Sequence, residues 1–202
     1  LWQVKVWLER KKGWSSKEFK DKLASDIRKK ATKKPRKLPR VKRAPLLAEL
    51  SLCDAHFGKL AWKPETGANY DIDICKRRYM GAALQLLARA EQHTPERLLY
   101  VVGNDFFHAD HKNATTSGTN VDCDGRWQKA FRVGTQCCID VIETAREKMP
   151  VDVMVVPGNH DEEKAFCLGD VLGAYFHKDG NVNVTNRPDP YSYYSYGKVL
   201  LG

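Results

Sequence analysis

No stretch of these 202 residues stays apolar for the ~20 positions that a bilayer demands, so a membrane-spanning helix is not expected. A secretory signal is not expected either, because Lys5, Glu9 and Arg10 to Lys12 interrupt the only apolar stretch near the N-terminus. A cytoplasmic location is the expectation. None of the six cysteines, Cys53, Cys75, Cys123, Cys137, Cys138 and Cys167, forms a Cys-x-x-Cys pair, which argues against a zinc knuckle or a dithiol redox site. A chain this long can bury a full core without disulfides, so the cysteines read as reduced core thiols. No internal repeat is present.

What is plentiful is positive charge, and it is unevenly placed. The net charge is +9, yet residues 1–44 hold 17 Lys and Arg against 4 Asp and Glu, a net of +13 that leaves −4 for the rest. Within that leader, Trp2, Val4, Val6 and Leu8 alternate as in a half-buried strand. Ser15 with Glu18 reads as a capping box, and Phe19, Leu23 and Ile27 would stripe a short helix. From Arg28 to Arg43 there are ten basic residues, no acidic ones, and Pro35 and Pro39, the composition of an extended linker. Residues 1–44 are therefore expected to be a basic leader and 45–202 the folded domain. Two readings of the leader stay open: an arm drawn to nucleic-acid phosphates by counterion release, or a solvated tether.

From Pro45 onward the pattern is α/β. Strands are expected at about 46–53, 97–102 and 151–156, and helices at about 71–92 and 125–149. Ile72, Cys75, Tyr79, Ala83, Leu86 and Ala90 keep a helical period, as do Trp127, Phe131, Cys138, Ile142 and Ala145; both stripes read as core. Residues 109–124 form a polar loop long enough to line a cleft. Glu162 to Phe176 suggests another helix, and Val182 to Val184 and Tyr191 to Leu201 further strands, whose tyrosines read as half-buried.

Three of the strands run directly into polar clusters: Asp54-Ala55-His56, Gly103-Asn104-Asp105 and Gly158-Asn159-His160-Asp161. In an extended chain, residues two apart share a face, so Asp54 and His56 can grip one ion. Asp105 has a second carboxylate oxygen with which to bridge to another ion, and the Asn159 amide would be a neutral ligand to that second ion. This mixture of oxygen and nitrogen suits manganese, iron or zinc, with manganese preferred. Two divalent cations ~3.5–4 Å apart would turn a bridging water into hydroxide near neutral pH, ready for in-line attack on phosphorus. His160, next to a ligand but aimed differently, would donate to the phosphate or leaving oxygen, and His108 would approach from the opposite side. His93, His111 and His177 carry no such context.

Taken together, these three motifs resemble the signature of the calcineurin-like metallophosphoesterase superfamily, over about residues 46–161. That resemblance implies a four-layer α/β/β/α sandwich with a two-metal centre at the strand ends. Asp54, His56 and Asp105 would be first-metal ligands, Asp105 the bridge, Asn159 a second-metal ligand and His160 catalytic. Asn104 stands where the usual motif has a second glycine. The segment Gly103-Asn104-Asp105-Phe106-Phe107-His108 is similar to that of the Mre11 and SbcD type of DNA nuclease. The text around His56 to Trp62 and Arg126 to Lys129 looks like uncharacterised phage- or prophage-encoded members. The superfamily pattern continues with an isolated His and a Gly-His-x-His, absent up to Gly202, so the sandwich is expected to be C-terminally incomplete here.

The expectation is a dinuclear metal-dependent phosphodiesterase acting on DNA, with Arg126, Lys129 and Lys112 as phosphate contacts. The same centre would serve a phosphomonoesterase acting on a small molecule or phosphoprotein. A nucleic-acid-binding module with a relic site is the non-catalytic alternative.

Overall fold

The computed structural model describes residues 37–189 and 191–202. The strand and helix expected within the first 36 residues lie outside the described residues. Strands β1 (Ala44–Ser51), β2 (Pro95–Gly103), β3 (Val151–Val156) and β4 (Val182–Thr185) form one parallel sheet in the order β1-β2-β3-β4. Each parallel step needs a crossover, and the helices α2 (Ile72–Glu91), α3 (Trp127–Arg146) and α4 (Glu162–Phe176) supply them; a single turn, α1 (Lys63–Thr66), precedes α2.

Because sheet order follows chain order, crossovers of one hand must all fall on one face. The core bears this out. Leu98, Tyr100 and Val102 of β2 and Val151, Val153 and Val155 of β3 pack in one cluster with Cys75, Tyr79 and Leu87 of α2, Cys138 and Ile142 of α3, and Leu168 and Leu172 of α4. The alternate residues face the other way, towards an antiparallel hairpin of β5 (Tyr194–Tyr196) and β6 (Val199–Leu201). There the buried carboxylate of Asp152 takes two hydrogen bonds from Arg97 (2.7 and 2.6 Å) and one from the Tyr194 hydroxyl, which satisfies a charge that would otherwise be costly to bury.

Several details differ from the sequence reading. β1 ends at Ser51, short of 53, because the chain beyond it turns into left-handed backbone at Asp54. In α2 the core position is Leu87, four residues beyond Ala83, while Leu86 is 38% exposed; in α3 Trp127 is 44% exposed at the first turn. Only Cys75, Cys137 and Cys138 are buried, with burial pushing the Cys75 thiol up to about 11; Cys53 and Cys167 are exposed. Tyr191 and Tyr193 are exposed too, since β5 begins after them. Arg43 belongs to the folded domain instead of the leader: its guanidinium donates to the carbonyls of Pro95 (3.2 Å) and Lys148 (2.6 Å). Among the described residues no helix is long and apolar enough to cross a membrane.

Candidate metal centre

The ends of β1, β2 and β3 meet at one edge of the sheet, but Asp54 and His56 are not strand residues. Both have left-handed backbone (φ 56° and 49°), as do Asn104 (φ 23°) and Asp105 (φ 60°) in the loop after β2. The extended-chain argument for a two-residue clamp therefore gives way to another cause. The two loops are zipped together by backbone bonds: Asp54 N to Asn104 O (2.8 Å), His56 N to Asp105 O (3.0 Å), Phe57 N to Phe106 O (2.8 Å) and His108 N to Phe57 O (3.1 Å). The intervening Ala55 turns inward, where its carbonyl accepts from the Tyr70 hydroxyl (2.7 Å). Left-handed backbone costs a non-glycine residue on the order of 1 kcal/mol or more. Here the ladder between loops offsets it.

The third loop is fitted against Asp105. The backbone N–H of His160 donates to Asp105 Oδ1 (2.8 Å), and a Cβ on Gly158 would lie 2.1 Å from that same oxygen. A Cβ on Gly103 would fall 1.9 Å from the Val156 carbonyl. Both motif glycines thus permit approaches that no side chain would allow. Asp161, fully buried, ties the second and third loops together by accepting from Phe107 N (2.8 Å) and Gly158 N (2.9 Å). Burial pushes its carboxyl up to about 6, and the two N–H bonds oppose that rise.

Three imidazoles converge on the result. His56 and His108 approach Nδ1 to Nδ1 at 3.2 Å, His108 and His160 stack with centroids 5.4 Å apart, and His56 meets His160 edge-on at 4.8 Å. His160 Nδ1 lies 2.8 Å from the His108 carbonyl. A carbonyl can only accept, so Nδ1 carries the proton and Nε2 is the free nitrogen. Burial first, then the neighbouring imidazoles, lower His108 to about 4; burial is also the main cause that lowers His56. Both rings therefore stay neutral near pH 7, the form a metal ligand requires.

Donor atoms of Asp54, His56 and Asp105 all lie within 4.8 Å of one another, and so do those of His56, His108 and His160. His56 Nε2 is 3.9 Å from Asp54 Oδ1. Two ligand atoms each ~2.0–2.2 Å from a shared ion can be that far apart, so the pair fits a cation of zinc or manganese size. His56 turns Nδ1 to His108 and Nε2 to Asp54, which aligns it with the carboxylate set.

Of the residues expected at the site, Asp54, His56, Asp105, His108 and His160 are brought together. Asn159 is exposed, and its backbone carbonyl accepts from Thr116 N (3.1 Å). Lys112 and Arg126 share a crevice with His108, but that space is only about 10 Å³. Lys129 points its ammonium at Asp124 (3.8 Å). His177 caps its own helix by bonding to the Ala174 carbonyl (2.8 Å). The sequence reading gave no role to Asp161, nor to Asp110, which binds the first turn of α4 through Glu163 N (3.1 Å) and Lys164 N (3.0 Å) and so holds the third loop. For Asp161 a signal existed, as the last residue of a motif otherwise fully used. For Asp110, in a polar loop, there was none.

Comparison of the chain with protein-family models, with curated proteins and with solved structures gave no match.

Proposed function

We propose that this chain is a metal-dependent phosphoester hydrolase, and within that class a phosphodiesterase acting on DNA. The observation that carries the reading is the gathering of Asp54, His56 and Asp105 donor atoms within 4.8 Å from two separate loops, with His56, His108 and His160 gathered equally closely. Asp54, His56 and Asp105 would hold one divalent cation, manganese fitting the donor set and iron or zinc fitting it too, and a second would require the exposed Asn159 amide to turn toward Asp105. Such ions make a nucleophile of water at neutral pH and stabilise charge on a phosphoryl group. His160 does the proton work. Its Nδ1–H is committed to the His108 carbonyl, which fixes the ring and leaves Nε2 to receive and deliver a proton at the leaving oxygen. His108 holds that ring by stacking and through its own carbonyl.

Among the described residues helices cover one face of the sheet, and we read the hairpin on the other face as the start of a second sheet, as a four-layer sandwich would require. The preference for a polyanion rests on the +13 carried by residues 1–44. The test compares the chelated protein, with and without added Mn²⁺, on single- and double-stranded DNA, a model phosphodiester and a model phosphomonoester. Mn²⁺-dependent cleavage of DNA and of the diester is expected. Preference for the monoester would move the assignment to a phosphomonoesterase, and absence of all hydrolysis with metal bound would leave a binding module.

A further inference from the structure

Beside the metal cluster lies a cavity of about 260 Å³ lined by Asp54, His56, Lys59, Thr66, Asn69 and Tyr70, together with two alanines. Its volume approaches the lower end of the ~300–1,000 Å³ range of small-ligand sites, more than a lone oxyanion needs. Asp54 and His56 form the wall it shares with the proposed metal centre, while Asp105, His108 and His160 are not among its walls, so it extends from that centre to one side.

Its walls are built firmly. Lys59 N donates to His56 O (2.9 Å) and Lys59 bridges to Cys123, while the outer wall is closed by reciprocal bonds between Ala61 and Tyr70 (2.9 Å each). The donors it leaves free are the Lys59 ammonium and the Asn69 amide, since the Thr66 hydroxyl is spent on the Trp62 and Ala68 carbonyls. Asn69 Oδ1 already accepts from Lys63 N (2.7 Å), which leaves its NH₂, and the Tyr70 hydroxyl is spent on Ala55 O. Lys59 is half-buried, and among the described residues no carboxylate lies within 4.0 Å of its ammonium. A half-buried cation without a counter-ion, beside an amide donor, is an anion site. The one opposing group is Asp54, whose charge a bound cation would take up.

We propose that this cavity is a second phosphate subsite, in which Lys59 holds the phosphate next to the one being hydrolysed, so that the substrate is a nucleotide chain with at least two phosphates. It deepens the hydrolase reading above and rests on it. The test uses a thymidine dinucleotide with and without a 5′-terminal phosphate. Affinities are measured by titration calorimetry in Ca²⁺, and KM values in Mn²⁺. In the wild type the terminal phosphate is expected to tighten binding and lower KM about tenfold, the scale of one charge-assisted contact. Lys59→Gln should erase that ratio and Lys59→Arg should keep it, whatever either substitution does to the rate on both substrates together. A tenfold ratio that survives in K59Q, or a wild type indifferent to the terminal phosphate, overturns the inference. A Lys59-dependent affinity ratio without hydrolysis would sink the hydrolase reading and leave the subsite. Hydrolysis without the ratio would do the reverse.

Discussion

Replacing Gly158 by alanine puts the close packing of the three loops to its strictest test. The new Cβ would sit 2.1 Å from Asp105 Oδ1 and 2.3 Å from Asp105 N, whereas ordinary contact begins near ~3.5 Å. The carboxylate would have to retreat by more than an ångström, and that breaks its bond from His160 N (2.8 Å). Alternatively the third loop would retreat, and the bond from Gly158 N to Asp161 (2.9 Å) breaks. Each is a hydrogen bond to a charged, buried group, worth ~1.5–3 kcal/mol. With partial relaxation, a loss of about 3 kcal/mol is expected, or ~6–12 °C in melting temperature for a chain of this size. Mn²⁺ affinity should fall with it, since Asp105 is displaced.

The control is Gly173→Ala in α4, where a Cβ meets nothing within 4 Å and alanine should stabilise the helix by ~0.5–1 kcal/mol. Urea unfolding and calorimetric titration of Mn²⁺ read both effects. If G158A unfolds at the wild-type urea concentration and binds Mn²⁺ equally well, the loops are not packed as described and the argument for the centre fails.

Substituting His160 by alanine removes the imidazole but keeps the backbone N–H that holds Asp105, so Mn²⁺ affinity should stay within about threefold while turnover falls ~10²–10⁴-fold; loss of the metal would refute the assignment. Titration below neutrality sets two groups against each other. His108, lowered to about 4, binds its proton later in the folded chain than the ordinary 6.5 of the unfolded one, so stability is lost as pH falls from about 6.5 to 4; Asp161, raised to about 6, binds its proton earlier and returns stability over much the same window. Asp161→Asn removes the compensation, and urea midpoints of the metal-free variant should fall with acid more steeply than those of the wild type; equal slopes would contradict it. Deleting residues 1–42 should reduce the log–log salt slope of duplex binding by ~0.9 for each phosphate the leader neutralises. An unchanged slope makes the leader a tether. Extending the deletion through Arg43 should lower the melting temperature, because its hydrogen bonds to two carbonyls go with it.

The sequence disclosed the sheet and the motifs for different reasons. β3 is legible because all-apolar Val153 to Val156 can only be a buried strand between covering layers, and α4 because Glu162 and Glu163 mark a helix start. The residues of the centre were legible as a set, since Asp54, His56, Asp105 and His160 each follow a strand. Their geometry was not. Extended-chain periodicity gave a plausible reason for Asp54 and His56 to face one ion, whereas the actual cause is left-handed backbone held by a partner loop. Periodicity is a local property, and a ladder between loops some fifty residues apart leaves no trace in it. Lys59 was passed over on similar grounds. Its meaning comes from the cavity wall contributed by residues 66–70, which the sequence places only a few positions away and says nothing further about.

The electrostatics of the three loops favour a cation among them. Burial raises the Asp161 carboxyl, and the charges of Asp105 and Asp110 nearby add to that rise. The two imidazoles that could balance them are kept neutral by the same burial, with His56 and His108 crowding each other and Lys59 standing off to one side. A folded chain that holds anions together, withholds protons from its bases and keeps Asp54, His56, Asn104 and Asp105 in left-handed backbone has arranged an unfavourable cluster at considerable cost. A divalent cation between Asp54, His56 and Asp105 would relieve the charge and leave the lone pairs of the neutral rings in use. On this argument the metal should stabilise the fold as well as serve the chemistry: the melting temperature should climb with Mn²⁺ concentration in the wild type as binding to the folded state alone requires. It should do so much less in Asp105→Asn, which keeps the side-chain shape and loses the charge.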